Sequence, residues 1–268
     1  MIPCLSEVTT LPASFAEDVT GYSDGGCHTM EVWLTKLETH LEKNSVASTL
    51  ELIAEREMSL PVASYQGGLL LSQGSARQVA FDHFRKRLEL CQTFGIRTMV
   101  LVADFRTAID VQSLGRAVAS LTEAGTWAAG FGVRIALEFR GTDTFCTSLD
   151  TALALVMQAN EPNVGVCLDL FHYYKGPSKT EDLSALSAAN LFHVQVCDVP
   201  GVPRELMADS DRVLPGEGDF HLDPVMNCLR KINYTGCVSV ELMNPMVWKS
   251  KPHQVAEISM ASLKRLLG

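Results

Sequence analysis

Basic residues are scarce in this chain. Twenty-two Lys and Arg stand against 31 Asp and Glu, for a formal net charge of -9. An acidic surface repels phosphate backbones, which excludes nucleic acid as a first expectation for a partner. The one basic run, Arg85-Lys86-Arg87, falls inside a helix-period stretch and reads as a solvated helix face. No CxxC pair occurs among the eight cysteines, and several of them, Cys167 and Cys237 among them, lie within apolar runs. That pattern argues against a disulfide scaffold or a cysteine zinc site and for buried reduced thiols in a cytoplasmic protein. The opening MIPCLSEVTT has no basic segment leading into an apolar one, so no signal peptide is expected. No apolar run reaches bilayer length, so no membrane partner is expected either. Gly-rich turns of the GxGxxG or Walker type are missing after the first strand-like run, which disfavours nucleotide-binding folds. Linkers, repeats and low-complexity stretches are also lacking.

What remains is a long, regular alternation. The 268 residues are 47% hydrophobic, enough for a large core. Short apolar runs at 2–6, 28–34, 61–65, 98–103, 133–139, 164–170, 191–196 and 237–242 read as eight strands. Helix-period segments fall between them at about 35–56, 76–94, 111–129, 148–159, 182–189, 222–232 and 253–267. In the second of these, Val79, Phe84, Leu88 and Cys91 lie near one face, with Gly95 at the C-cap. Ser148 is placed to N-cap the fourth. Strand–helix alternation means parallel strands covered by helices, and eight units favour closure into one α/β domain over residues 1–268, a (β/α)8 TIM barrel.

Polar residues concentrate at the ends of the later strands. Strand five ends in Glu138, strand six in Asp169, strand seven carries Gln195 before Asp198, and strand eight reaches Glu241. Carboxylates converging on a barrel mouth lose hydration and repel one another. A shared divalent cation relieves both costs, with Glu138, Asp169 and Glu241 as oxygen ligands and Gln195 as a neutral fourth. The competing arrangement pairs each acid with an arginine such as Arg134, Arg140 or Arg212. Alternation turns His193 to the same side as Gln195, as a pocket group or a core histidine. Glu31 and Gln66 close strands two and three and are expected at the pocket rim. Arg212, in the irregular stretch 199–220 after strand seven, reads as a substrate clamp or as the partner of Asp209 or Asp211. Trp248 follows strand eight as a pocket-lining or packing residue.

These same residues carry a family likeness. The pieces are ALEF around Glu138, CLDLFH around Asp169 and His172, HVQVCDV around Gln195 and Asp198, DRVLPGEGDF from Asp211 to Phe220, and VSVEL ending in Glu241-Leu242. In order and spacing they resemble the xylose isomerase-like barrels, the sugar isomerase and epimerase group that also contains endonuclease IV. The N-terminal half is similar more loosely, through MEVW at Met30 to Trp33 and YQGGLL at Tyr65 to Leu70. The resemblance implies that Glu138, Asp169 and Glu241 hold a metal, and that His172 touches substrate or orients a ligand. Gln195 departs from the family, where many members have His. Its harder oxygen leans the site toward Mg²⁺ or Mn²⁺, with Co²⁺ and Zn²⁺ as further candidates. Endonuclease IV is disfavoured, because Val213 and Ser64 stand where the nuclease has histidines.

The function so implied is that of a divalent-metal-dependent isomerase or epimerase of a ketose or keto-inositol, with closest likeness to inosose isomerase-like members. It would work through an enediolate, Glu138 and Glu241 exchanging the proton. The alternative is a lyase similar to 3-dehydroshikimate dehydratases, which share such a glutamine. A non-catalytic sugar-binding barrel is the reading from another class. The expected partners are a small polyol or keto-sugar of carbohydrate metabolism and, from the resemblance, further copies of the chain.

Overall fold

The computed structural model describes residues 1–268. The apolar runs form eight parallel strands: β1 (Ile2–Ser6), β2 (Thr29–Trp33), β3 (Ser59–Gln66), β4 (Thr98–Val102), β5 (Arg134–Glu138), β6 (Val164–Asp169), β7 (Leu191–Val196) and β8 (Cys237–Val240). Each pairs with its neighbour in order, and β8 closes on β1 through Ile2–Cys237 and Leu5–Val240. No edge is left unpaired, which is why such short strands suffice. No helix is long and apolar enough to cross a membrane.

Nine helices lie between or after the strands: α1 (Phe15–Asp24), α2 (Leu34–Leu41), α3 (Val46–Glu55), α4 (Gly74–Thr93), α5 (Val111–Gly130), α6 (Leu149–Ala159), α7 (Leu170–Lys175), α8 (Leu222–Lys231) and α9 (Pro252–Leu267). The main hydrophobic cluster fills the layer between sheet and helices. A second cluster, including Cys4, Val62, Val100, Ala136, Cys167 and Cys237, comes from strand positions of the opposite parity and plugs the barrel from within. All eight cysteines are free, and all but Cys228 are buried.

The sequence expectations differ from this architecture at several places. Helix α1 was not expected. Its signal was a capping box, in which Ser14 and Glu17 bond reciprocally, but Gly21 interrupts the helical pattern. That glycine lets α9 approach: a Cβ there would lie 2.6 Å from Pro252 Cβ. The expected helix over 35–56 is two helices, because Ser45 starts a new one by accepting from the Ser48 N–H. The expected helix at 182–189 is a 3-10 turn, Thr180–Ala185. In α4 the buried face is Phe81, Phe84, Leu88 and Cys91, whereas Val79 is exposed. Arg87 does not share the solvated face of Arg85 and Lys86. It is buried, gripping Glu38 of α2 and donating to the Tyr65 carbonyl of β3. Gly95 does terminate α4 with a positive φ of 71°.

Candidate active site

The site forms at the C-terminal mouth of the barrel, where strand ends deliver side chains and loops vary freely. Its pocket encloses about 210 Å³ and is lined by apolar residues, Val8, Trp33, Val102 and Met243 among them, and by Glu138, Glu241, His172, Arg106, Arg140 and Arg212. That volume suits a six-carbon polyol, with apolar groups for C–H bonds and polar ones for oxygens.

Strand parity decides which residues point inward. In β5 it turns Ala136 and Glu138 to the inside, in β6 Cys167 and Asp169, and in β7 His193 and Gln195. Asp169 closes β6 and also caps α7: its Oδ1 accepts from the backbone N–H groups of Phe171 at 2.6 Å and His172 at 3.3 Å. The cap sets His172 so that its Nε2 stands 3.3 Å from Glu138 Oε1.

Beneath the pocket floor lies a buried polar layer. Glu31 is fully buried and accepts from Gln195 Nε2 at 2.8 Å, while its other oxygen meets His193 Nε2 at 2.9 Å. Burial alone would raise the Glu31 carboxyl, but His193 outweighs it and holds the group below its ordinary value. Burial likewise works to lower His193, and the carboxylate of Glu31 raises it instead. The two form an ion pair inside the barrel, so Glu31 is not the rim residue the sequence led one to expect, and His193 takes the core position that stood as the alternative to a pocket role. The expected rim position failed for Glu31 because it sits mid-strand, well below the mouth.

Gln195 also differs from expectation. Its Nε2 bridges Glu31 and Glu241, 2.8 Å from each, and its oxygen faces the Cys167 thiol. An amide between two carboxylates must present its N–H groups, since the reverse orientation would oppose like partial charges. In this structure it therefore anchors Glu241 rather than offering an oxygen to the acid cluster.

Of the two readings of Arg212, the structure shows the pairing with Asp209, and the side chain proposed as a substrate clamp is almost wholly buried. Its Nη1 donates to Asp169 Oδ2 at 3.0 Å and Glu241 Oε2 at 2.8 Å, and its Nε and Nη2 to Asp209 Oδ1. The guanidinium also lies over the Phe171 ring, 4.5 Å from its centre. Two of the three acids thus share one arginine, while Glu138 has His172. Gln66 ends β3 but opens into a neighbouring cleft with Tyr65, Arg87 and Asp104. Trp248 packs, its Nε1 donating to the Val8 carbonyl at 2.9 Å.

Sequence reasoning passed over Asp198 as a structural residue. Its buried carboxylate accepts from the backbone N–H groups of Val199, Gly216 and Phe220, all within 3.0 Å. It thereby fastens the segment that carries Arg212. Gly218 is required there, because a Cβ would come within 2.6 Å of the Val199 backbone.

Among the arginines of the pocket, only Arg212 bonds directly to these acids. Burial pushes the Glu241 carboxyl well above its ordinary value. Arg212 opposes this, but Asp169, Glu31 and Glu138 add to it. Asp169, which burial would also raise, is held low by Arg212 and His172. In direct contact, Glu138, Asp169 and Glu241 thus share one guanidinium and one imidazole. Ligand atoms of Glu138, Asp169 and His172 lie within 4.8 Å of one another, and His172 Nδ1 is buried without a partner. Oxygen and imidazole donors gathered in this way fit a divalent cation.

The family model described as xylose isomerase-like TIM barrel matches residues 22–266. The chain belongs to that family. Among curated relatives, the inosose isomerase of Bacillus subtilis (strain 168) is 33% identical over 170 residues, which are 62% of this family member and 61% of that enzyme. The match thus spans about three fifths of that relative's length. The inosose isomerase of Bacillus velezensis is 28% identical over 92% of the chain and 90% of its own length. A solved structure described as IOLI protein with a binding zinc atom superposes with a TM-score of 0.93, at 25% identity, covering 100% of this barrel and 98% of that one.

Proposed function

We propose that this barrel is a divalent-metal-dependent isomerase or epimerase of a keto-inositol or ketose. The observation that carries the reading is the placement of Glu138 and Glu241 on one small, half-apolar pocket, with Asp169 and His172 gathered beside Glu138. The inosose isomerase names of the relatives, and the zinc of the IOLI structure, support the substrate class and the metal.

Glu138, Asp169 and Glu241 are the groups that would hold the cation, with His172 beside them. When bound, a divalent ion supplies Lewis acidity toward a carbonyl and its neighbouring hydroxyl. The chain's own residues then handle the proton. Glu138, which has no arginine in hydrogen-bond contact, accepts it from the carbon next to the carbonyl. Glu241 is the group placed to return one from its own side of the pocket. Arg212 and Gln195 donate to its two oxygens and fix Glu241 from two directions, so it does not swing away. Val8, Trp33 and Met243 keep water from the reacting carbons.

The test is incubation of Mn²⁺-loaded protein with inososes and ketoses in deuterium oxide, followed by NMR. Uptake of deuterium at the carbon beside the carbonyl, together with interconversion, is expected. A parallel incubation with 3-dehydroshikimate, read by ultraviolet absorbance, examines the lyase alternative that Gln195 brings to mind. Absence of exchange with every ketone, or strong aromatic product from dehydroshikimate, would overturn the isomerase reading.

A further inference from the structure

Two guanidinium groups on the wall of this pocket have no acceptor at hydrogen-bond distance. Arg140 follows β5 and Arg106 follows β4, and both line the pocket that contains Glu138 and Glu241. Neither side chain makes a hydrogen bond. The nearest carboxylate to Arg140 is Asp143, 4.0 Å from Nε, and the nearest to Arg106 is Asp104 at 3.7 Å. The Arg140 side chain is only 25% exposed, and its Nε is buried with no acceptor. Leaving a buried donor such as the Arg140 Nε unpaired is costly, so its acceptor is expected to come from outside the chain; Arg106, 72% exposed, is solvated and free to assist.

The other charges of the site are already committed. Glu138 stands against His172, and Asp169, Glu241 and Asp209 are all bound by Arg212. Burial works against the charge on Arg140, and Glu138, Asp209, Asp143 and Asp169 more than offset it without occupying its N–H groups. A guanidinium can only donate, and its planar fork matches an anionic oxygen pair better than a hydroxyl.

The geometry points to Arg140, assisted by Arg106, as the specificity-determining grip on an anionic substituent of the substrate, a carboxylate or a phosphate carried on the keto-polyol. This role is the one the sequence suggested for Arg212, transferred to the arginines that are free to perform it. It rests on the reading of the pocket as a keto-polyol site only for the rest of the bound molecule.

The experiment is calorimetric titration of Mn²⁺-loaded protein with three probes: fructose, 5-ketogluconate and fructose 6-phosphate. At least one anionic probe should bind about tenfold or more tightly than fructose, a difference worth about 1.4 kcal/mol. Which of the two does so identifies the group. In Arg140→Gln the anionic-to-neutral ratio should collapse toward one, and in Arg106→Gln it should fall part of the way. Lys86→Gln, on the outer face of α4, controls for net charge and should keep the ratio. Thermal melts of each variant check folding. Equal binding of all three probes by the parent, or an unaltered ratio in a folded Arg140→Gln, would overturn the inference. Arg140-dependent anion binding without any deuterium exchange would retain the grip and refute the isomerase reading instead.

Discussion

At the residue scale, the site depends on the number of negative charges and on which cation meets each. Glu138 lines the pocket and is opposed by imidazole rather than guanidinium. Glu138→Gln keeps the side-chain shape and removes the charge. The fold should persist, by circular dichroism and melting, while metal affinity falls and turnover drops by about 10²–10⁴-fold. Full activity in that variant would remove Glu138 from the reaction. Gln195 marks the limit of reasoning by residue type. Its position at a strand end near acids was legible, but an amide has two faces. Only the positions of Glu31 and Glu241 on either side of its nitrogen decide which one points toward the acids.

At the element scale, the segment between β7 and α8 is the most informative part of the chain. It has little regular structure, with one short 3-10 turn at Asp209–Asp211 and a bridge between Asp198 and Val213. Asp198 replaces the missing ladder by receiving three backbone N–H groups, and Gly218 permits the approach. Asp198→Ala strands those donors. A loss of about 1–3 kcal/mol per unsatisfied group bounds the destabilisation, part of which water recovers. Hydrogen exchange should show faster opening of 199–220 with little change in β1 through β5, and turnover should fall because Arg212 is no longer held on Asp169 and Glu241. Uniform loss of protection across the barrel would contradict this local role. The helices were legible where apolar period was strong, as in α4 and α6, and illegible where a cap alone announced them, as in α1.

At the scale of the whole molecule, a second buried charge cluster joins β1, α1 and α2. Glu7 accepts from the Trp33 N–H at 2.7 Å, Asp18 pairs with Lys36, and Lys36 also bonds the carbonyls of Glu7 and Thr10. Two buried acids share one lysine. Burial, then the neighbouring charge of Asp18, pushes Glu7 well above its ordinary value of 4.5. The folded chain therefore retains a proton that the unfolded chain has released, and stability falls as pH rises from about 4.5 toward the folded-state value. Glu7→Gln keeps the bond from Trp33 and removes the titration. Urea midpoints between about pH 5 and 8 should then decline less steeply than in the parent. An identical slope would show that other groups set it.

The sequence alone determined the barrel. Eight apolar runs spaced by amphipathic helices have few other ways to bury their surface, and period and parity are local properties. It also determined which strand ends carry acid, because position along a strand fixes both face and depth. The partners of those acids were decided only on closure. Arg212 meets Asp169 from 43 residues away, and Glu31 meets His193 from 162. No local pattern reports such distances, so tertiary structure alone showed Arg212 occupied and Arg140 free.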